Sequence, residues 1–436
     1  MREGAVMASD MVVALGPATV DGQTLFGHNS GRPWQERQSL SRVPGREFAP
    51  GEKVPRLGLP QARHTYTVLA AQSEGCWGYT QGINDQGVAL GCAALRNKIP
   101  CTAPSLSETD LVRLILERSR TARHGVDMLT DLVGQHGQGN SGGGSENPAE
   151  GGGSFLIADA KEAFAVETAG PHWVYQEIGE VRAAGNACII RQDWDRISPG
   201  LSDYVSGKGW WKCDGSKLDF AGAVTENPMG HASGLRRWGR ATLLLEQQNG
   251  HIDSAFVRRV LCDHYEGTSF EVDPLATVQG PVPLCRHGIG TNALATAASM
   301  VAQIGGRSNA LNIVWFAFGP PCISVYFPLF LESDIPELFA GRTIAAEDLW
   351  TRSVHLHEQV LDPERRGLVR ETLGRLQVRL DQDAEEFAYE GAALKQKGAF
   401  GETQRLASLA MQHSLELYES AMTSLPLMAE THSVLA

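Results

Sequence analysis

Ser9–Pro33 reads SDMVVALGPATVDGQTLFGHNSGRP, and its pattern decides how the rest of the chain is arranged. Met11 to Leu15 is apolar at every position, so a strand there is buried on both faces and lies between two layers. Asp21-Gly22 is a turn signal, and Thr24 to His28 reads as the strand that returns beside the first. The hairpin brings Ser9, at its beginning, next to the polar cluster His28, Asn29 and Arg32 at its end. A hydroxyl beside polar groups at the tip of a buried sheet suits an enzyme that attacks with its own first residue.

Composition narrows the classes. A chain of 436 residues with 42% hydrophobic content buries a full core, as one large domain with an appendage or as two to three smaller ones. The net charge of -12 argues against a nucleic-acid or anionic-membrane partner, since both call for clustered Lys and Arg. The eight cysteines (Cys76, Cys92, Cys101, Cys188, Cys213, Cys262, Cys285, Cys322) form no C-x-x-C and no Cys/His ligand spacing, so they read as reduced and packed, with no metal expected. No run approaches the roughly 20 apolar residues of a membrane span, no secretory leader is evident, and a cytoplasmic protein is expected.

Outward from the hairpin, residues 34–64 are rich in Pro, Arg and Gly and read as a loop over the site. A strand follows at His64 to Ala71, then a hairpin around Asn84-Asp85-Gln86-Gly87. Ser107 and Asp110 cap one helix, and a second runs from Thr121 to Gly137. The glycine-rich stretch 137–154 contains Gly139-Asn140-Ser141-Gly142-Gly143, which has the letters of a serine-hydrolase elbow. It follows a helix and precedes a strand, the reverse of what an elbow needs, and so reads as a linker. A meander runs from Phe155 to Arg182, and helices follow at His231 to Gln248 and Ser254 to Cys262. In the first of these, Arg236, Arg237 and Arg240 read as a solvated face, with carboxylate recognition as the rival. Strands at Thr296 to Ile304 and Leu311 to Phe318 precede long charged helices beyond residue 331, which pack on the sandwich or on a second subunit and leave a homo-oligomer open.

Several motifs carry a family resemblance. Ser9-Asp10-Met11-Val12-Val13-Ala14-Leu15 and Phe26-Gly27-His28-Asn29-Ser30-Gly31-Arg32-Pro33 resemble the opening of the secernins and the bacterial dipeptidase A enzymes, distant relatives of penicillin V acylase and bile salt hydrolase. Echoes continue in family order through Gly82–Val88, Asp110–Leu114, Phe155–Asp159, Val166–Gly170, Lys208–Trp211 and Thr296–Val301. The resemblance implies an α+β fold, the N-terminal-nucleophile αββα four-layer sandwich, over residues 1–330, with a C-terminal helical region over 331–436.

For function, it implies hydrolysis of a small peptide or amide without a cofactor. The family's nucleophilic Cys falls on Ser9, which needs residues 1–8 removed so that its own α-amine, titrating near pH ~7.7–8.0, serves as base. Translation from Met7 would leave Ala8 acylating Ser9 after loss of the initiator. Asn186 with a backbone N–H is the implied oxyanion pair, Arg32 steadies the site, and His28, Asn29 and Cys92 line the substrate side. The family's acidic and asparagine positions read Gly31 and Cys92, which favours the alternative of a lapsed enzyme kept for binding or regulation.

Overall fold

The structure is a computed structural model that describes residues 9–34, 36–100, 105–139, 151–226, 232–273, 281–288, 294–305, 311–340 and 348–425. Residues 1–8 and most of the glycine-rich stretch, including Asn140 and Ser141 of the elbow-like letters, lie outside these.

In chain order the elements are β1 (Asp10–Ala14), β2 (Thr24–Pro33), β3 (Gln38–Val43), β4 (Val68–Ser73), β5 (Gln81–Asn84), β6 (Ala89–Ala94), α1 (Glu108–Arg118) and α2 (Ala122–His136). Next come β7 (Gly153–Ala158), β8 (Ala163–Ala169), β9 (His172–Ile178), β10 (Val181–Gly185), β11 (Arg196–Ile197), α3 (Leu201–Gly207), α4 (Phe220–Val224), α5 (Ala232–Gln247) and α6 (Ser254–Leu261). The chain continues through β12 (Leu294–Ile304), β13 (Val314–Phe318), β14 (Phe327–Leu329), α7 (Glu337–Ala340), α8 (Leu349–Gln359), α9 (Pro363–Gln396) and α10 (Phe400–Ser424).

Two antiparallel sheets face each other. One has the order β10-β1-β2-β12-β13-β14, the other β11-β9-β8-β7-β6-β5-β4-β3. Helices α5 and α6 cover the outer face of the six-stranded sheet, and α1 and α2 cover that of the eight-stranded sheet. The result is the expected four-layer αββα sandwich. β1 explains why its sequence is apolar throughout. Paired on both edges by β2 and β10, it turns Met11 and Val13 toward the second sheet and Val12 toward α6, and all five of its residues are buried.

Local signals set the helix boundaries. Ser107 and Asp110 form the full capping box of α1. Thr121 caps α2, which ends at Gly137 with φ of 69°, a left-handed value that suits glycine. Asn84 acts in its turn as expected: its side-chain oxygen accepts from Val88 N at 2.9 Å, while its nitrogen donates to Leu116 O and Ser119 O.

Two expectations change. Residues 38–43 are not loop but the edge strand β3, and the remaining excursion packs on the end of α1, where Arg118 reaches Pro60 O and Gln61. The meander also does not stay in one sheet. β9 belongs to the eight-stranded sheet and β10 to the six-stranded one, so the chain crosses over between Ile178 and Val181 and carries Asn186 to the end of β1.

The C-terminal helices dock on the sandwich. Gln377 of α9 bonds both backbone groups of Tyr326, Arg258 pairs with Asp381, and Leu311 N donates to Ala388 O. Leu373, Leu380, Ala388, Ala407 and Met411 join the same apolar core as Met11 and Phe26. At Gly391 an added Cβ would lie 2.5 Å from Leu311 Cδ1, so glycine there allows the close approach.

Candidate active site

Strand register assembles the site. Asp10 lies opposite Gly185 on one side and Asn29 on the other, so Ser9, one step back, stands level with Asn186 and Ser30. Side chains alternate along a strand. Ser9, Ser30 and Arg32 therefore share the face of His28, which looks across to Gly91 of the second sheet. Ser9 and Arg32 are buried at 5% and 4% exposure, and Arg32 has Glu36 within 3.9 Å. Asn186 donates from Nδ2 to Ala94 O at 2.9 Å, which ties the two sheets together at this end and fixes the amide plane. Gly185 is required for closeness: a Cβ there would lie 3.0 Å from Ser9 O and 3.1 Å from Asp10 Oδ1.

Behind Ser9 stands an ion cluster that sequence reasoning did not assign. Asp10 is buried and points into the helix layer, where Arg237 Nε donates to both its oxygens at 2.9 Å and Arg286 Nη2 donates at 3.2 Å. Arg237 is thus neither on a solvated face nor at a substrate carboxylate, and Arg240 forks onto Asp263. Only Arg236 of the three is exposed. Burial, reinforced by the neighbouring Arg237 and opposed by Asp10, pulls the Arg286 guanidinium down to about 9. The signal available in sequence was Asp10 itself, an acid at the mouth of an apolar strand, which demands a buried cation.

The three residues assigned to the substrate side stand as follows. His28 is fully buried with Nε2 3.0 Å from Cys92 O, and burial lowers its pKa to about 4. A neutral ring whose Nε2–H donates to a carbonyl is a cross-sheet tie. Asn29 is on the opposite face of β2 from Ser9. Its amide donates to Leu261 O and Leu284 O and accepts from Ser299 Oγ, fastening the helix layer to the sheet. Cys92 also turns away, because in β6 it is Gly91 that faces His28. Its thiol packs beneath α1 near Thr80 O, where burial pushes it far above the ordinary thiol range. Ser9, Arg32 and Asn186 converge at one end of the sandwich; Asn29 and Cys92 point out of it.

A second cluster departs from the expectation of scattered, packed cysteines. His264, Cys285, His287 and Cys322 come from three separate segments, and their ligand atoms all lie within 4.8 Å of one another. The Cys322 thiol is held well below its ordinary range, chiefly by a hydrogen bond from Cys285 and by the adjacent His287 and His264. Sequence spacing missed it because only Cys285 and His287 are close in the chain.

Comparison with known proteins agrees with the motifs. The model of peptidase family C69 matches residues 51–210, a stretch that holds Asn186 and Cys92 and excludes Ser9. A probable dipeptidase of Salmonella dublin is 24% identical over 293 residues, 57% of this chain and 62% of that protein. One from Latilactobacillus sakei is 25% identical over 363 residues, 73% and 72% of the two chains. Among solved structures, penicillin V acylase from Agrobacterium tumefaciens aligns at 13% identity over 74% of this chain and 86% of its own, with a TM-score of 0.36. A variant of conjugated bile acid hydrolase from Clostridium perfringens aligns at 14% over 71% and 89%, also at 0.36. The shared motifs, the C69 match and the dipeptidase relatives agree: this chain resembles peptidase family C69 over residues 51–210 and two probable dipeptidases over longer stretches.

Proposed function

We propose that this protein hydrolyses the amide bond of small peptides, dipeptides first, with Ser9 as nucleophile once it is the first residue of the chain. The observation that carries the reading is the register of β1, which sets Ser9 level with Asn186 and on the face of Arg32 at one buried end of the sandwich. The α-amine of Ser9 takes the hydroxyl proton as Oγ attacks the carbonyl and returns it to the departing amine; water, deprotonated by the same α-amine, then attacks the Oγ ester, releasing the acid and restoring the hydroxyl. Asn186, oriented by its bond to Ala94 O, is the side-chain donor to the oxyanion, and a backbone N–H is the second. Arg32 steadies the polar end, and the Arg237–Asp10–Arg286 cluster holds the strand that presents Ser9.

The lapsed-enzyme reading keeps one specific support. With Cys92 turned toward α1 and glycine at position 31, the donor and acid of the family pattern have no counterparts at those positions. The two readings part in one experiment. Chain prepared with Ser9 as its first residue, verified by intact mass, is assayed on a panel of dipeptides and acyl amides. Hydrolysis that Ser9→Ala abolishes supports the enzyme. Absence of turnover by folded protein across the panel overturns it and leaves the binding role.

A further inference from the structure

We propose that His264, Cys285, His287 and Cys322 are the four ligands of a structural zinc ion. Bound there, it fastens the chain after α6 and the stretch around Arg286 to the turn at Pro321–Ile323. Three observations carry this.

The first is the geometry. His264 Nε2 and His287 Nε2 are 3.3 Å apart, Cys285 Sγ and His287 Nε2 3.6 Å, and His287 Nε2 and Cys322 Sγ 3.1 Å. A tetrahedron with Zn–S of about 2.3 Å and Zn–N of about 2.0–2.1 Å has edges of roughly 3.3–3.8 Å. The three separations at His287 fall at or near such edges, and the remaining pairs of ligand atoms lie within 4.8 Å of one another.

The second is hydrogen-bond chemistry. His287 Nε2 faces an imidazole nitrogen and two sulfurs at once. One ring nitrogen has either a single N–H or a single lone pair, so it satisfies one such neighbour well and not three. A cation at the centre satisfies all four donors together.

The third is the outer shell. His264 Nδ1 lies 3.0 Å from Glu266 Oε1, and the backbone N–H of His264 donates to Glu266 Oε2 at 2.7 Å. A carboxylate that takes the Nδ1–H leaves the Nε2 lone pair aimed inward, the arrangement that metal-binding histidines use. Two thiolates neutralise a divalent ion in this largely buried place, and thiolate with imidazole selects zinc over magnesium or calcium. Four protein ligands leave no open position, which marks the site as structural.

The test uses the full chain, without a polyhistidine tag, grown with added zinc and purified without chelator. Elemental analysis is expected to give about one zinc per chain. Exchange into cobalt should produce the intense visible bands of a tetrahedral site together with thiolate-to-cobalt charge transfer. Cys285→Ser with Cys322→Ser should lose both signals, while Cys188→Ser retains them. Should the double variant fail to fold, alkylation of the parent decides: bound zinc should protect Cys285 and Cys322 but not exposed Cys213, and a chelator should remove the protection. The proposal is overturned by substoichiometric metal with no cobalt spectrum. It is equally overturned by metal retained in a folded double variant, by unprotected Cys285 and Cys322 in zinc-loaded protein, or by a Cys285–Cys322 disulfide in protein purified under reducing conditions.

Discussion

Replacing Asp10 with Asn tests whether the ion cluster behind Ser9 is needed as a charge or only as a shape. The side chains of Arg237 and Arg286 are 3% and 4% exposed, and Asp10, at 5%, takes donations from both. Asparagine keeps the volume and an accepting oxygen but leaves two buried cations without their anion. Breaking a buried pair by removing one partner costs about 3–5 kcal/mol, because the remaining charge is uncompensated. Unfolding entropy of ~2.1 cal/mol/K per residue gives ~0.9 kcal/mol/K for a cooperative unit of this length, so Tm should fall by about 3–5 °C. Loss of Asp10 also removes what raises Arg286, whose pKa burial and Arg237 already lower to about 9. A second change, Arg286→Met, should therefore recover part of the loss. Differential scanning calorimetry reads both effects, with Glu371→Gln as control, since that acid and Arg375 are 65% and 69% exposed and such pairs contribute ~0–1 kcal/mol. An Asp10→Asn shift no larger than the control's would refute the charge argument.

Three further outcomes follow from the same contacts. Gly91→Ala sets a Cβ 2.5 Å from His28 Cδ2 and 3.1 Å from Phe26 Cζ, so it should cost about 1–3 kcal/mol in denaturant unfolding; a neutral result would mean the sheets separate more easily than their packing implies. Burial raises Glu167 from 4.5 to about 8, against the backbone bonds from Ile189 and Ile190, so between these values the native state keeps a proton that the unfolded chain has released. Its contribution is complete below pH 4.5 and lost as pH rises through about 8, so Glu167→Gln should flatten that part of the Tm–pH profile, and parallel profiles would exclude this assignment. If Asn186 donates to the oxyanion, Asn186→Ala should lower kcat by ~10²–10³ with KM little changed, whereas a loss confined to KM points to substrate binding instead.

The sandwich was legible because its signals are local. The doubly apolar run Met11–Leu15, the capping box Ser107/Asp110 and the stop at Gly137 each specify an element without reference to distant residues. What stayed hidden depends on how strands pair. Nothing in Val181–Gly185 says that it leaves the sheet of β9, yet that crossing delivers Asn186 to Ser9. Facing was also hidden at Cys92. Gly91 and Cys92 are adjacent, and because side chains alternate, one residue of register decides which meets His28 and which meets α1. Arg237 looked like a surface cation because helix spacing alone does not reveal a buried aspartate from another strand.

The two clusters outside the resemblance meet in three consecutive residues. Arg286 sends its guanidinium to Asp10, next to Ser9, while Cys285 and His287 on either side of it turn to His264 and Cys322. Thr296 holds the same point by accepting from and donating to the Arg286 backbone, and Leu284 O receives Asn29. A buried arginine with a depressed pKa is costly to keep charged beside a second arginine, and short loops alone rarely hold such a group in place. Ligands on both sides of Arg286 would restrict its backbone at the two positions that set its direction. The sheet supplies the rest: β2 places Asn29 against this stretch on one face and presents Ser30 and Arg32 beside Ser9 on the other. Stability of the loop and alignment of the strand end are thus one mechanical problem, solved by a single short segment.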